Sequence, residues 1–153
     1  MGGEGRGAEI TMKPVMQTIC NNKNGDCFRA CIASMLEVEI EKVINFMEDG
    51  ADYFYEKCLK FCDDTGLLIV DFPIGQCDDE LKRGAMKDLK GRFLCATIPS
   101  PRYKDTDHTV IVKDGFVIHD PYPGGITGYK PDIKTITFIA ISDIEGFMKW
   151  KGC

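Results

Sequence analysis

The sequence predicts a single α+β domain, and three observations lead there. Helix-spaced apolar residues dominate the part before Gly66, short β-rich runs bounded by turn residues follow it, and no long linker or internal repeat divides the two. Residues 1–11 (MGGEGRGAEIT) are Gly-rich and aperiodic, so they are set apart as a flexible leader or cloning remnant, and 12–153 is taken as the domain.

The elements follow in chain order. Asn24-Gly25-Asp26 is a turn with Asp26 as a helix N-cap, and Cys27, Ala30, Cys31, Ser34 and Met35 behind it recur at helical spacing. Glu39 to Met47 reads as a second short helix, and Asp52 as the cap of a third that ends near Gly66. Leu67 to Val70 is a strand, and residues 78–90 a charged helix or turn beginning at Asp78-Asp79-Glu80. Strands are expected at Arg92 to Ile98, Thr109 to Lys113, Phe116 to His119 and Thr135 to Ile141. Asp143 caps a closing helix whose Trp150 packs on the core.

Bulk properties narrow the function. A chain of 153 residues with 44% hydrophobic and 28% charged residues is an ordinary globular composition. Its net charge of −5 argues against nucleic-acid or anionic-membrane binding, since both want a basic face. No apolar run approaches the ~20 residues of a membrane span, and no secretory leader is evident, so the expected compartment is cytoplasmic. Eight cysteines are then read as reduced thiols. Cys27/Cys31 and Cys58/Cys62 sit four apart, a spacing that places each pair on one buried helix face, and the repeated ligand pattern of a structural zinc site is missing.

Among those thiols, Cys27 is the one with a turn and a cap before it. A helix N-terminus stabilises a thiolate through its free N–H groups and dipole. Cys31, one turn further in, is expected to be inert packing. A nucleophilic cysteine needs a base, and the chain has two histidines, His108 and His119. Both lie in a hairpin turning at Asp114-Gly115. A two-residue loop pairs Lys113 with Phe116 and sets Asp120 on the face opposite His108. A three-residue loop ending at a left-handed Gly115 pairs Val112 with Phe116 and His108 with Asp120. The second register is expected, because it separates an apolar face from a mixed one and places a carboxylate beside an imidazole. It leaves His119 as an exposed strand histidine. Acyl chemistry also needs oxyanion donors. The Cys27 backbone N–H is one, and Gln17, Asn21, Asn22 and Asn24 compete for the second.

Taken together, Gln17, Gly25-Asp26-Cys27-Phe28-Arg29-Ala30-Cys31, the apolar run after His108, and His119-Asp120-Pro121 resemble the papain-like cysteine peptidases. The likeness is greatest to the bacteriocin-processing, double-glycine-leader group and its small stand-alone relatives. The resemblance implies a papain-like fold, with a nucleophile helix packed on a C-terminal antiparallel sheet. It implies Cys27 as nucleophile, His108 as base, Asp120 as its orienter and Gln17 as oxyanion donor. The implied activity is hydrolysis of peptide, isopeptide or related amide bonds in a peptide or protein substrate, with no metal or organic cofactor. Two other functions fit the same residues. Phe28 stands where that group has Gly, which suits an inactive papain-like binding module, and transfer of the acyl group to an amine would make the chain a transglutaminase-like acyl transferase. Pro99 to Tyr103 is expected as a cleft wall, and Pro121 to Gly128 as a plain connector, with lining or covering the cleft as its alternative.

Overall fold

The computed structural model describes residues 12–152. The expected leader at 1–11 therefore lies outside the described residues. The chain forms α1 (Cys27–Leu36), α2 (Phe54–Thr65), β1 (Leu67–Phe72), α3 (Asp79–Asp88), β2 (Leu94–Pro99), β3 (Asp107–Lys113), β4 (Phe116–His119), β5 (Thr135–Ile141) and α4 (Ile144–Lys151). The five strands make one antiparallel sheet in the order β1-β5-β2-β3-β4. This is the α+β architecture expected. Among the described residues no helix is long and apolar enough to cross a membrane.

Strand alternation gives the sheet two buried faces. Leu94, Ala96 and Ile98 of β2, with Val110, Val112, Val117 and Ile136, meet Ala85 and Met86 of α3 on one side. Cys95 and Ile111 face the other side, where Phe28, Cys31, Ile32 and Leu36 of α1, Phe61 of α2 and Phe147 of α4 close the larger core. Trp150 stands edge-on to Phe61 at 5.7 Å, as the closing helix requires. Asp78 and Asp143 cap α3 and α4, accepting from the N–H groups of Leu81 and Gly146.

The structure corrects two helical expectations. Glu39 to Met47 holds only a 3₁₀ turn, Ile40–Lys42. Asp52 caps nothing: it sits inside a 3₁₀ turn, Ala51–Tyr53, that runs straight into α2. α2 does end at Gly66, whose φ of +73° the chain turn into β1 requires.

The hairpin register is also corrected. Asp114 and Gly115 both take positive φ, 53° and 85°, which makes a two-residue turn with the right twist, and Lys113 pairs with Phe116. The three-residue loop is absent. A bulge compensates: Val112 pairs with Val117, but Ile111 pairs with His119, so Ile118 is the extra residue. One inserted residue inverts the alternation that follows it. Val117 therefore faces the α3 side with Val112, and Asp120 still returns to the side of the hairpin that carries His108.

Candidate active site

The site forms where the first turn of α1 meets the open end of the β3–β4 hairpin. Asp26 is the residue before the helix, yet its side chain makes no cap bond. Its backbone (φ −105°, ψ 32°) is not the extended one that aims a capping oxygen at the helix. The carboxylate instead accepts from the backbone N–H groups of Thr18 and Ile19, both at 2.8 Å, and from the Thr18 hydroxyl at 2.7 Å. Asp26 is 1% exposed, so these bonds replace the water it has lost. The first-turn N–H groups of α1 are therefore left uncapped by Asp26.

This arrangement places Gln17. Its backbone N–H donates to Pro121 O (2.9 Å), just past Asp120. Its side-chain Nε2 donates to Ile19 O at 2.9 Å, within the segment that Asp26 holds. Gln17 is buried and lines the cleft, and its Oε1 has no partner among the described residues. The second Nε2 hydrogen is the one left for an oxyanion. Asn21 and Asn22 also line the cleft; Asn21 Oδ1 accepts from the N–H groups of Lys23 and Asn24, which orients its amide.

His108 is 6% exposed, and its Nε2 lies 2.7 Å from Asp120 Oδ1. That leaves Nδ1 as the ring nitrogen available to Cys27, which lines the same cleft. Arg102 Nη2 also lies 2.9 Å from Nε2, and one nitrogen cannot donate to Asp120 while accepting from Arg102. We assign the proton to Nε2, because the Asp120 contact is shorter and opposite in charge. Arg102 is held there independently, by Asp120 Oδ2 at 3.4 Å and by the Tyr122 ring at 3.7 Å under its guanidinium.

The electrostatics follow from these contacts. Burial by itself raises the Cys27 thiol, but the hydrogen bond and charge of His108, with hydrogen bonds from Thr109, outweigh it and hold the thiol below its ordinary value. Burial by itself lowers His108, but Asp120 and Cys27 lift it to about 9. Burial by itself raises Asp120, and His108, the Tyr122 N–H and Arg102 bring it below the usual carboxylate range. The two groups move in opposite directions, which favours a thiolate beside an imidazolium. Cys31 behaves otherwise: it is fully buried, its thiol donates to Thr109 O at 3.5 Å, and burial pushes it well above the ordinary value.

Cys27, His108, Asp120 and Gln17 are thus brought together, and three expectations change. His119 is not exposed. It is 6% exposed and shares a 2.8 Å hydrogen bond with Val15 O, which ties the Gln17 segment to the sheet. Phe28 does not block Cys27: its ring packs edge-on to Phe46 (5.0 Å) and Phe54 (5.1 Å) and becomes the apolar wall of the cleft. The 121–128 loop is more than a connector. Tyr122 N–H donates to Asp120 Oδ1 at 2.9 Å, and a Cβ on Gly125 would stand 2.5 Å from Asp120 Cγ. Gly125→Ala is therefore expected to push the Asp120 carboxylate off His108, lowering kcat by about tenfold or more while the far-ultraviolet circular dichroism stays unchanged.

Arg102, Tyr122 and Gly125 were not marked by any sequence spacing. The β2–β3 loop that carries Arg102 is shaped by Ser100, whose hydroxyl accepts from Arg102 N (3.2 Å) and Tyr103 N (3.1 Å). With Tyr103 it forms the expected wall of a cleft of about 600 Å³ that opens over Cys27 and His108. The chain matches no protein-family model, no curated protein and no solved structure.

Proposed function

We propose that this protein is a papain-like cysteine hydrolase acting on peptide, isopeptide or related amide bonds. The observation that carries the reading is a buried imidazole bonded to Asp120 at 2.7 Å through one nitrogen, in a cleft it shares with Cys27, whose thiol its charge helps hold below the ordinary value. A cysteine at a helix start, a base and a carboxylate that orients the base are the parts that acyl transfer needs.

In this mechanism the Cys27 thiolate attacks the substrate carbonyl. The Cys27 N–H and the free Nε2 hydrogen of Gln17 receive the charge on the carbonyl oxygen. Imidazolium His108 gives its Nδ1 proton to the leaving amine, and a thioester remains on Cys27. Water, deprotonated by His108, then attacks the thioester, and the acid leaves as the thiol returns. No step uses a metal or an organic cofactor. The unpaired state of all seven described cysteines supports a reducing, cytoplasmic setting. The packing of Phe28 against Phe46 and Phe54 supports the enzyme reading over an inactive binding module.

The test is a mixture of peptides and isopeptide conjugates incubated with the purified protein, with products read by mass. Products that gain one water at an amide support hydrolysis. Products that carry an added amine in place of water move the reading to acyl transfer, and an unchanged mixture contradicts it. The pH profile of kcat/KM is expected to be a bell. It rises as Cys27 ionises at its lowered value and falls as His108 loses its proton near 9.

A further inference from the structure

We propose that the cleft contains a subsite for a basic side chain of the substrate, lysine or arginine, with Asp71 as its charge partner. The proposal rests on the hydrolase reading and names a substrate feature that this site selects.

The sheet register supplies the floor. Thr109, Thr97 and Thr135 stand abreast on β3, β2 and β5. In the next row on the same face, Thr137 of β5 is opposite Asp71 of β1. Cross-strand partners share a face, and so do residues two apart along a strand. All five line the cleft that also holds Cys27 and His108. At about 4.8 Å per strand, Thr135 is about 10 Å across the sheet from Thr109, and Asp71 lies one strand further. A substrate in extended form covers about 3.4 Å per residue. A long side chain two or three positions from the scissile amide therefore reaches Asp71.

Asp71 is suited to the role because its charge is unmatched. Its Oδ1 accepts from the Thr137 hydroxyl at 2.7 Å, and among the described residues no lysine or arginine pairs with it. Of the other charged groups lining the cleft, Asp107 is bonded to Lys134 (2.7 Å) and Arg102 is held on Asp120, while Lys23 comes from the turn before α1, off the threonine floor. Asp105 belongs to the β2–β3 loop, off the threonine floor. The wall beside Asp71 is aromatic. Phe28, Phe54 and Tyr55 border the cleft, and with Asp71 they also border the adjoining groove toward α2. An arginine or lysine has an apolar stem for such a wall and a cation for the carboxylate and the rings. A glutamate would be repelled, and norleucine would use the wall alone.

The experiment separates this proposal from the hydrolase reading by measuring binding without turnover. Full-chain Cys27→Ala protein is titrated into fluorescein-labelled Ala-Ala-Arg-Ala-Ala-Ala amide and into the same peptide with norleucine or glutamate in place of arginine. Anisotropy is read at low salt. Because Asp71 is solvent-exposed, the arginine peptide is expected to bind about fivefold tighter than the norleucine peptide, with the glutamate peptide weakest. Adding Asp71→Asn, which keeps the shape and the Thr137 bond, is expected to level arginine and norleucine, and Asp71→Lys to invert the order. Equal or undetectable binding of all three peptides, or a preference that survives Asp71→Asn, overturns the subsite. If the order holds but wild-type protein cleaves none of the peptides, the subsite stands and the hydrolase reading falls. If wild-type protein cleaves them without regard to charge, the reverse follows.

Discussion

Cys27→Ala is expected to lower kcat by about 10⁴-fold or more, since loss of a nucleophile removes the covalent route and leaves only binding and oxyanion contacts. The fold is expected to survive. Cys27 is only partly buried, and the α1 core is made by Phe28, Cys31, Ile32 and Leu36, so removing one sulfur costs about 1 kcal/mol. The variant has a second signature. His108 owes part of its rise to about 9 to the Cys27 bond, so in Cys27→Ala its titration moves down toward the ordinary value of about 6.5. A raised histidine stabilises the fold fully below its unfolded value, and that contribution is lost as pH rises through the folded value. The alkaline loss of stability therefore starts from the same unfolded value in both proteins but is smaller, and is complete at lower pH, in the variant. Carbon-bound ring proton shifts of His108 and melting curves between pH 6 and about 10 measure both effects. Turnover by Cys27→Ala at more than a few per cent of the wild-type rate would remove Cys27 from the mechanism.

Asp120→Asn is expected to cost about 10³- to 10⁴-fold in kcat, the scale seen when the orienting carboxylate of a triad becomes an amide. The geometry explains why. Asp120 Oδ1 serves His108 and the Tyr122 N–H, while Oδ2 faces Arg102. Asparagine can keep the Tyr122 bond, but it leaves the Arg102 guanidinium beside the imidazole with no anion between them. His108 is then harder to protonate, and the Cys27 thiolate loses its counterion. Asp120 is 5% exposed, so stability should fall by about 3 kcal/mol as a charge pair is broken. Wild-type protein is expected to show the matching acid behaviour. The stability contributed by a carboxylate with a lowered value is present above the ordinary range and is lost as pH falls through the folded value. Chemical denaturation of both proteins at neutral pH, with kcat from the same preparations, checks the pair of effects. An Asp120→Asn protein with wild-type kcat would show that the His108–Asp120 bond is only structural.

Legibility in the sequence depended on how local each determinant was. β4 and β5 run as expected from Phe116 to His119 and from Thr135 to Ile141, because β-rich runs are closed by turn residues on both sides. Asp143 could be read as a cap because it lies in the chain directly before its helix. The hairpin was harder. Its turn residues were visible, but whether they make a two- or three-residue loop is settled by burial of Val117 and by the bulge at Ile118, which depend on α3 and on the larger core. The sequence argument put His108 and Asp120 on one face through the wrong turn and the wrong pairing: the register Ile111–His119 sets Asp120 opposite Val110, and the two side chains meet across that two-residue offset.

Asp26 shows the same limit. Its position proclaims a cap, and tertiary approach of Thr18 gives its carboxylate better partners than the helix does. His119 looked exposed by alternation alone, because the segment that covers it, at Val15, comes from 104 residues away. Arg102 is linked to its site only through space: its six-residue distance from His108 follows no periodic rule, and the Ser100 turn that aims it is a loop detail. His108 was legible because the chain holds only two histidines, and Cys27 because a turn precedes its helix, whereas Gln17 was singled out only by the family resemblance. The residues that hold them in place were not legible, because many side chains can do that work.

The measurement that tests the central claim most directly is the rate of alkylation by iodoacetamide as a function of pH, with the modified cysteine located by peptide mass mapping. Cys27 is expected to react first among the thiols, with a rate that rises at lower pH than an ordinary thiol's and whose midpoint shifts upward in His108→Gln. A first hit on Cys20, Cys62 or Cys77, or a Cys27 rate that rises only near the ordinary thiol value of about 8.5, would contradict the account.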